Sequence, residues 1–231
     1  MFPAMTVVAT RLDPELMSFD VFGTLIDVRA GSYDAFRSIL DEAGATDIDV
    51  KAFWEHWEHR NIAHYWEPYR RYRDICELSL AETLDHFRVR AKPKLIERYF
   101  DSFPRFVLYD DVIATLDRLA HRRRLAVVSN IDNDLLASTP LKRTFDLVCT
   151  AERAGGYKPD GTLFRYLIDQ AGTTKDQIFH SGQSQFTDLV GGKPLGLTIA
   201  WINRRGVPLD DSVPRPDYVL SDLASLSALV A

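Results

Sequence analysis

Asp20 is the side chain in this sequence that is best placed to act as a nucleophile. It follows an apolar run typical of a buried strand and precedes the turn Val21-Phe22-Gly23-Thr24. A carboxylate held at the end of a strand can attack an electrophilic centre and form a covalent intermediate. The sequence therefore predicts covalent catalysis by Asp20, and the neighbouring residue types decide which bond it can break.

Three later segments also carry polar side chains at or just beyond the ends of apolar runs: Ser129-Asn130, Tyr157-Lys158-Pro159, and Gly182 to Asp188. In an open parallel sheet, the carboxyl ends of the strands form the edge at which ligands bind. We therefore expect two carboxylates, one lysine and several hydroxyl or amide donors to converge on a single crevice.

The elements that must position these residues are short apolar runs rich in β-branched residues, which predict buried parallel strands. The runs are Leu16 to Phe22, Leu125 to Ser129, Phe145 to Thr150, Gln177 to Ser181, Leu197 to Ile202 and Tyr218 to Leu220. Helical patterns separate the later runs, and this alternation predicts an α/β fold with a doubly wound parallel sheet.

The interval 28–106 shows helical periodicity and no convincing strand, which predicts an inserted α-helical domain. The core domain would then comprise residues 1–27 and 107–231. The aromatic stretch from Phe53 to Trp66 favours helix packing, and its inner face would line a pocket if the inserted domain covers one.

Bulk properties exclude several functional classes. The 231 residues carry a formal charge of −5, so the chain lacks the positive field that gathers nucleic acid or anionic lipid. Cys76 and Cys149 show neither metal-ligand nor disulfide spacing, so we expect no metal site and a reducing, cytoplasmic location. The first ten residues lack the features of a signal peptide or a membrane span, and we expect a short tail there.

The four polar segments, in this order, resemble the four motifs of the haloacid dehalogenase superfamily. Those motifs are an Asp nucleophile in an Asp-x-x-Gly-Thr turn, a Ser or Thr after the second strand, a Lys, and an acidic loop. The superfamily also carries a helical cap between its first two motifs. The resemblance covers nearly the whole chain and implies a Rossmann-like core with an inserted cap domain.

Two departures from the phosphatases of this superfamily indicate which bond Asp20 breaks. Phosphatases place a second Asp two residues after the nucleophile to protonate an alcohol leaving group, whereas this chain has Phe22. Where their acidic loop begins Gly-Asp and holds magnesium, this chain has Gly182-Gln183. A halide leaves without a proton, so both substitutions favour cleavage of a carbon–halogen bond with no metal or other cofactor.

The motifs resemble those of the L-2-haloacid dehalogenase branch still more closely. This resemblance implies that Asp20 displaces halide from C2 of a short-chain 2-haloacid, and that water then hydrolyses the ester to a 2-hydroxy acid. It also implies that Lys158 orients the carboxylate, that Asp188 positions Lys158 or the water, and that Thr24 anchors Asp20.

The candidates for substrate binding come from the same resemblance and from residue type: Val21, Phe22, Ser129, Asn130, Arg60, Phe164, Gln183 and Gln185. The first four would hold the substrate carboxylate, the first two through their backbone N–H groups. Arg60 matches by spacing the cap arginine that receives the halide, with Arg70, Arg71 and Arg73 as rivals and a surface ion pair as the other reading. The remaining three differ from the residues the branch often carries and would alter the size and polarity of the pocket.

Two other functions stay open at this point. A magnesium-dependent phosphomonoesterase would need water or a cap residue in place of the missing acid. A binding protein that kept the scaffold and lost turnover would also explain the departures, although Asp20, Lys158 and Asp188 together argue against it. The apolar cap helices are compatible with a homodimer.

Overall fold

The computed structural model describes residues 12–230, and the expected N-terminal tail falls outside this range. The strands of the described part are β1 Leu16–Phe19, β2 Ile26–Asp27, β3 Val107–Leu108, β4 Arg124–Ser129, β5 Leu147–Thr150, β6 Ile178–Gly182, β7 Thr198–Ile202 and β8 Tyr218–Leu220. Each of the six predicted runs overlaps one of these strands; β4 begins one residue before its run, and β6 ends one residue after its run. The first strand ends earlier than expected, because the backbone after Phe19 turns back and both Leu25 and Ile26 donate to the carbonyl of Val21.

Six of the strands form one parallel sheet in the order β5-β4-β1-β6-β7-β8. The central strand β1 pairs with β4 on one side, where Phe19 lies opposite Val127, and with β6 on the other, where Phe19 lies opposite Ser181. The chain builds the sheet outward from β1 to β5 and then crosses to β6, so the strand order reverses beside β1. This is a doubly wound α/β core, as predicted, and its ligand crevice lies at the carboxyl end of β1.

The helices are α1 Val28–Glu42, α2 Val50–His64, α3 Tyr72–His86, α4 Glu97–Phe100, α5 Val112–Ala120, α6 Asn133–Ser138, α7 Ala151–Ala154, α8 Thr162–Gln170, α9 Val190–Gly192 and α10 Leu226–Leu229. None within residues 12–230 combines the length and the hydropathy needed to cross a bilayer. The first four follow β2 and precede β3, and we propose that they form the cap. The short antiparallel pair β2–β3, with Ile26 opposite Leu108, joins the two ends of this insertion.

Two apolar clusters pack on the parallel sheet. Side chains alternate between the faces of a strand, so Met17 and Phe19 join one cluster whereas Leu16 joins the other. The first cluster continues into the helices of the proposed cap, where Phe36 and Trp57 are buried. The helices of the proposed cap and one face of the sheet thus share a continuous core, which fixes these helices above the crevice.

Asp132 links the two parts of the molecule, and its replacement by alanine is expected to destabilise the protein. Its carboxylate accepts hydrogen bonds from the backbone N–H groups of Tyr72 (3.0 Å) and Arg73 (3.2 Å), at the start of α3. Arg71, the residue before α3, supplies no side-chain cap, so Asp132 satisfies these donors from across the interface. Loss of such a cap costs about 1–2 kcal/mol.

The free energy of unfolding, measured with urea, checks this expectation against Asp134→Ala. Asp134 is exposed and binds the side chain of Arg73, whereas Asp132 binds the backbone of α3. Equal stability losses in the two variants would show that Asp132 does not cap α3.

Candidate active site

Lys158 joins the two carboxylates predicted to carry the chemistry. Its Nζ lies 2.5 Å from Oδ1 of Asp20 and 2.9 Å from Oδ1 of Asp188, and both lysine and Asp188 are about 1% exposed. Asp20 follows β1, Lys158 follows α7, and Asp188 lies in the π-helical turn Gln185–Leu189 after β6. The sheet edge therefore brings together residues that are up to 168 positions apart in the sequence.

The turn after β1 fixes the orientation of the Asp20 side chain. Thr24 Oγ1 donates to Asp20 Oδ2 (2.7 Å) and accepts from the backbone N–H of Gln183 (2.9 Å). Gly23 has φ +88°, and a Cβ there would lie 2.7 Å from Oε1 of Gln183. Only glycine combines this conformation with so close an approach, which explains the Gly-Thr pair of the motif.

Asp188 is held from two further directions. Its Oδ1 lies 3.2 Å from Nε2 of His180, and its Oδ2 accepts from the backbone N–H of Ser184 at 3.0 Å. His180 is fully buried, and its other ring nitrogen contacts Ser18 Oγ at 2.9 Å. This network leaves His180 no open path to a substrate and gives it a structural role.

The charges of the three central groups are set by burial and by one another. Burial opposes ionisation of Asp188, but Lys158 and His180 lower the pKa of its carboxyl to about 2. Burial would lower the pKa of Lys158, yet Asp188 and Asp20 raise it above its ordinary value. Burial raises the pKa of Asp20, and Lys158 opposes this shift. Lys158 and Asp188 are therefore fully charged at neutral pH.

Polar donors surround this charged centre. Ser129 ends β4 and Asn130 follows it, and both line the same cavity as Asp20 and Lys158. Asn130 Oδ1 accepts from the backbone N–H of Lys158 at 2.9 Å. Phe22 also lines the cavity. The Val21 side chain is buried in the core instead, so only its backbone N–H is left for the predicted contact with substrate.

The cavity has a volume of about 320 Å³ and lies between the sheet edge and the proposed cap. Helix α2 and the residue that caps its C-terminus contribute one face to it: Trp54, Trp57, Glu58, Asn61, Ile62 and Tyr65. These positions recur at intervals of three and four residues, the repeat of one helix face. The aromatic stretch thus serves both helix packing and cavity lining.

The structure does not place Arg60, the predicted contact for the halide, among the described residues that line the cavity. Arg60 lies about 120° around the axis of α2 from Trp54, which is near the middle of the cavity-lining face. Its Nε binds Oε2 of Glu82 at 2.6 Å, and the arginine side chain is 37% exposed. Arg60 thus forms a surface ion pair, which was the alternative prediction for this residue. The alternative candidates Arg70, Arg71 and Arg73 also form ion pairs with acidic side chains. None of the three is among the described residues that line the cavity.

Phe164 also lies outside the cavity. It is fully buried in the second apolar cluster, where its ring meets that of His180 at 4.9 Å. It supports the network behind Asp188 and does not touch the substrate space. Gln183 and Gln185 line the cavity, and Gln185 Oε1 also accepts from the backbone N–H of Asp210 at 2.7 Å.

Three charged residues that line the cavity were not predicted: Arg29, Glu58 and Arg205. Arg29 is the second residue of α1, Glu58 lies on α2, and Arg205 follows β7. The guanidinium of Arg29 lies over the Trp54 ring, 5.5 Å from its centre. The sequence could have indicated Arg29, because a cation in the first turn of a helix interacts unfavourably with the helix dipole. Such a position suggests that the arginine serves a function other than helix stability.

Replacing Glu58 by glutamine is expected to remove a pH-dependent loss of stability. Burial raises the pKa of the Glu58 carboxyl from 4.5 to about 7, although Arg29 and Arg205 oppose the shift. Between these pH values the unfolded chain has released the proton and the folded chain keeps it, so stability falls as pH rises. Because the side chain is partly accessible, we expect an effect of about 1–2 kcal/mol.

Urea unfolding at pH 5 and pH 8 measures this effect. Glu58→Gln should gain stability relative to wild type at pH 8, whereas Glu77→Gln, an exposed glutamate on α3, should not. The same pH dependence in wild type and Glu58→Gln would refute the assignment.

The groups beside Asp20 do not suit a magnesium ion. Within residues 12–230, no group of three or more His, Cys, Asp or Glu side chains is arranged to hold a metal. Asp20 and Asp188 both bind the Lys158 ammonium, and Gln183 offers only a neutral amide. Hard divalent cations prefer anionic oxygen ligands, so this donor set would bind magnesium weakly.

The chain is similar to dehalogenases and to a phosphatase. It is 23% identical to haloacetate dehalogenase H-2 of Moraxella sp. (strain B), over 94% of this chain and 98% of that protein. It is 29% identical to the human N-acylneuraminate-9-phosphatase over 53% of this chain and 52% of that protein. The structure of L-2-haloacid dehalogenase from Xanthobacter autotrophicus has the same fold, with a TM-score of 0.78, 21% identity, and coverage of 94% of this chain and 98% of that one.

A family model matches most of the chain and agrees with the four motifs and the doubly wound core. Residues 17–202, which contain Asp20, Lys158 and Asp188, match the model of the haloacid dehalogenase-like hydrolases. This chain belongs to the haloacid dehalogenase-like hydrolase family.

Proposed function

We propose that this protein hydrolyses short-chain 2-haloacids to 2-hydroxy acids through an ester on Asp20. In the first step a carboxylate oxygen of Asp20 attacks C2, a carbon–oxygen bond forms, and the carbon–halogen bond breaks to release halide. In the second step water adds to the Asp20 carbonyl carbon, and the products are the 2-hydroxy acid, a proton and the regenerated carboxylate.

The observation that carries this proposal is the environment of Phe22. Phe22 lies two residues beyond the nucleophile in the sequence. Its ring packs against the rings of Phe103 (5.4 Å between centres) and Phe106 (6.5 Å). A phosphatase needs a proton donor at this position because an alkoxide is a poor leaving group. The apolar ring supplies none, whereas a halide ion departs unaided, and the weak magnesium donor set supports the same conclusion.

The geometry also supports distinct roles for the charged groups. Lys158 and Thr24 donate to the two oxygens of Asp20, so they would stabilise the oxyanion that forms when water adds to the ester. Asp188 already accepts from Lys158, His180 and Ser184, and its pKa of about 2 makes it a weak base. We therefore favour Asp188 as the residue that positions Lys158 over a role as the base that activates water.

Chloride release from L-2-chloropropionate by the purified protein tests the proposal. The assay is run with EDTA present, and Asp20→Asn serves as the control for contaminating activity. We expect stoichiometric chloride and lactate in EDTA from the wild-type protein. Absence of chloride release across a panel of short 2-haloacids would refute the proposal.

A magnesium-dependent phosphomonoesterase is the second candidate. The similarity to a phosphatase supports it, and so does Glu58, a cavity carboxyl whose pKa of about 7 would let it supply the missing proton. Hydrolysis of p-nitrophenyl phosphate that requires magnesium and is lost in both Asp20→Asn and Glu58→Gln would favour this candidate over the first.

A further inference from the structure

The cavity contains a second charged cluster besides Asp20, Lys158 and Asp188. Arg29, Glu58 and Arg205 come from α1, α2 and the segment after β7, and all three line the cavity wall. The charges of Arg29 and Arg205 act on Glu58, and those of Arg29 and Glu58 act on Arg205, so the three form one electrostatic group. Its composition is two cations and one acid.

The two cations of this cluster have no close anionic partner. Within residues 12–230, no ion pair shorter than 4.0 Å and no side-chain hydrogen bond involves Arg29, Glu58 or Arg205. The cluster keeps a net positive charge even when Glu58 is ionised. Guanidinium groups on a cavity wall without a carboxylate partner are suited to hold an anion of the ligand.

The position of Arg29 is unfavourable for the stability of α1 but suitable for binding an anionic ligand. It lies in the first turn of α1, where a cation opposes the helix dipole, and its guanidinium stacks over Trp54. Stacking on an aromatic face orients the planar group and lowers the entropy lost when an anion binds.

The volume of the cavity indicates a ligand larger than a three-carbon haloacid. About 320 Å³ falls in the range of sites that enclose ligands with many more atoms. A substrate that reached from Asp20 to the second cluster would need a longer carbon chain with a second acidic group at its far end.

We propose that Arg29 and Arg205 bind a distal carboxylate of the substrate, and that Glu58 sets the net charge of the cluster. The preferred substrates are then 2-halo dicarboxylic acids such as 2-chloroglutarate. The halogen in this statement rests on the proposed function, whereas the distal carboxylate does not.

Glu58 makes the binding of the distal carboxylate depend on pH. The charged groups that face it are Arg29 on α1, Arg205 after β7 and Glu55 on its own helix. When Glu58 is protonated, it adds a donor and removes a negative charge, so dicarboxylates bind more tightly at pH 6 than at pH 8. Glu58→Gln should abolish this difference.

Calorimetric titration of the full-length protein with glutarate and with butyrate tests the subsite, because neither ligand carries a leaving group. We expect glutarate to bind at least about tenfold more tightly at pH 7. Arg29→Gln and Arg205→Gln should each weaken glutarate binding about tenfold and leave butyrate binding within about twofold. Arg60→Gln, which alters a surface ion pair on α2, is the matched control and should change neither.

Equal affinities for the two ligands in the wild-type protein would overturn the proposal. So would an equal loss of glutarate and butyrate binding in Arg29→Gln and Arg205→Gln, since the arginines would then hold the carboxylate common to both ligands. Chloride release from 2-chloroglutarate and 2-chloropropionate separates this outcome from the proposed function. A glutarate preference without chloride release refutes the dehalogenase alone, and chloride release without that preference refutes the subsite alone.

Discussion

Replacing Asp20 by asparagine is expected to lower kcat for 2-haloacid hydrolysis by at least about 10⁴-fold, because the neutral amide cannot displace halide. The stability of the fold should change less than the activity, since the asparagine side chain keeps one oxygen for the contact with Thr24 or Lys158. Chloride release under saturating substrate measures the loss, and circular dichroism checks that the variant is folded.

Asp27→Asn is a suitable control for this experiment. Asp27 caps α1 at the protein surface and lies outside the described walls of the cavity. It should keep kcat near the wild-type value. Activity in Asp20→Asn within about tenfold of wild type, with deamidation excluded by mass, would show that Asp20 is not the nucleophile.

Replacing Lys158 by methionine should damage both catalysis and stability. Without the ammonium, Asp20 and Asp188 are two buried carboxylates with no cation between them. Breaking a buried ion pair in this way costs about 3–5 kcal/mol. We also expect kcat to fall by about 10³-fold, since the oxyanion formed during ester hydrolysis loses its charged donor.

The stability loss in Lys158→Met should depend on pH in a defined direction. In wild type, the lowered pKa of Asp188 stabilises the fold above the unfolded value of about 3.8, and this contribution is lost as pH falls toward 2. In the variant, the two carboxylates raise each other's pKa values, so the fold retains protons that the unfolded chain releases. Its stability therefore falls as pH rises from 4 to 8.

Urea unfolding at pH 4 and pH 8 measures this direction, with Lys175→Met as the control. Lys175 is exposed and makes only a 3.5 Å contact with the Leu195 carbonyl. A larger destabilisation of Lys158→Met at pH 4 than at pH 8 would contradict the charge arrangement.

The sequence predicted the parallel core because its strands are buried on both faces. Runs such as Arg124–Ser129 and Ile178–Gly182 are almost entirely apolar or small and alternate with helices, which is typical of a doubly wound sheet. The pair β2–β3 escaped prediction, because two residues in each strand are too few to show a periodicity.

Some residues of the site are positioned by the sheet, and others are positioned by the helices of the proposed cap. Asp20, Lys158 and Asp188 meet because each follows an element that ends at one sheet edge, and strand order is enough to predict this. Which side of α2 faces the cavity depends on its packing against the core. Spacing from the nucleophile suggested Arg60, whereas the helical repeat of Trp54, Trp57 and Tyr65 would have excluded it.

Arg205 illustrates a limit of sequence reasoning. It follows β7 as the second of two adjacent arginines, yet an arginine beside a turn is most often a solvated surface residue. Its place in the cavity depends on how the segment after β7 approaches α1 and α2, and no local pattern encodes that approach. Glu58 was hidden for a similar reason, because an acid among aromatic residues on a helix has an ordinary surface interpretation.

Single-turnover hydrolysis in oxygen-18 water, with enzyme in excess over L-2-chloropropionate, tests the ester on Asp20 most directly. Water that adds to the Asp20 carbonyl leaves its oxygen in the enzyme, so mass spectrometry should find one label in the peptide containing Asp20 and none in the first lactate released. Label in the lactate with an unlabelled Asp20 peptide would mean that water attacks the substrate carbon, and covalent catalysis by Asp20 would be wrong.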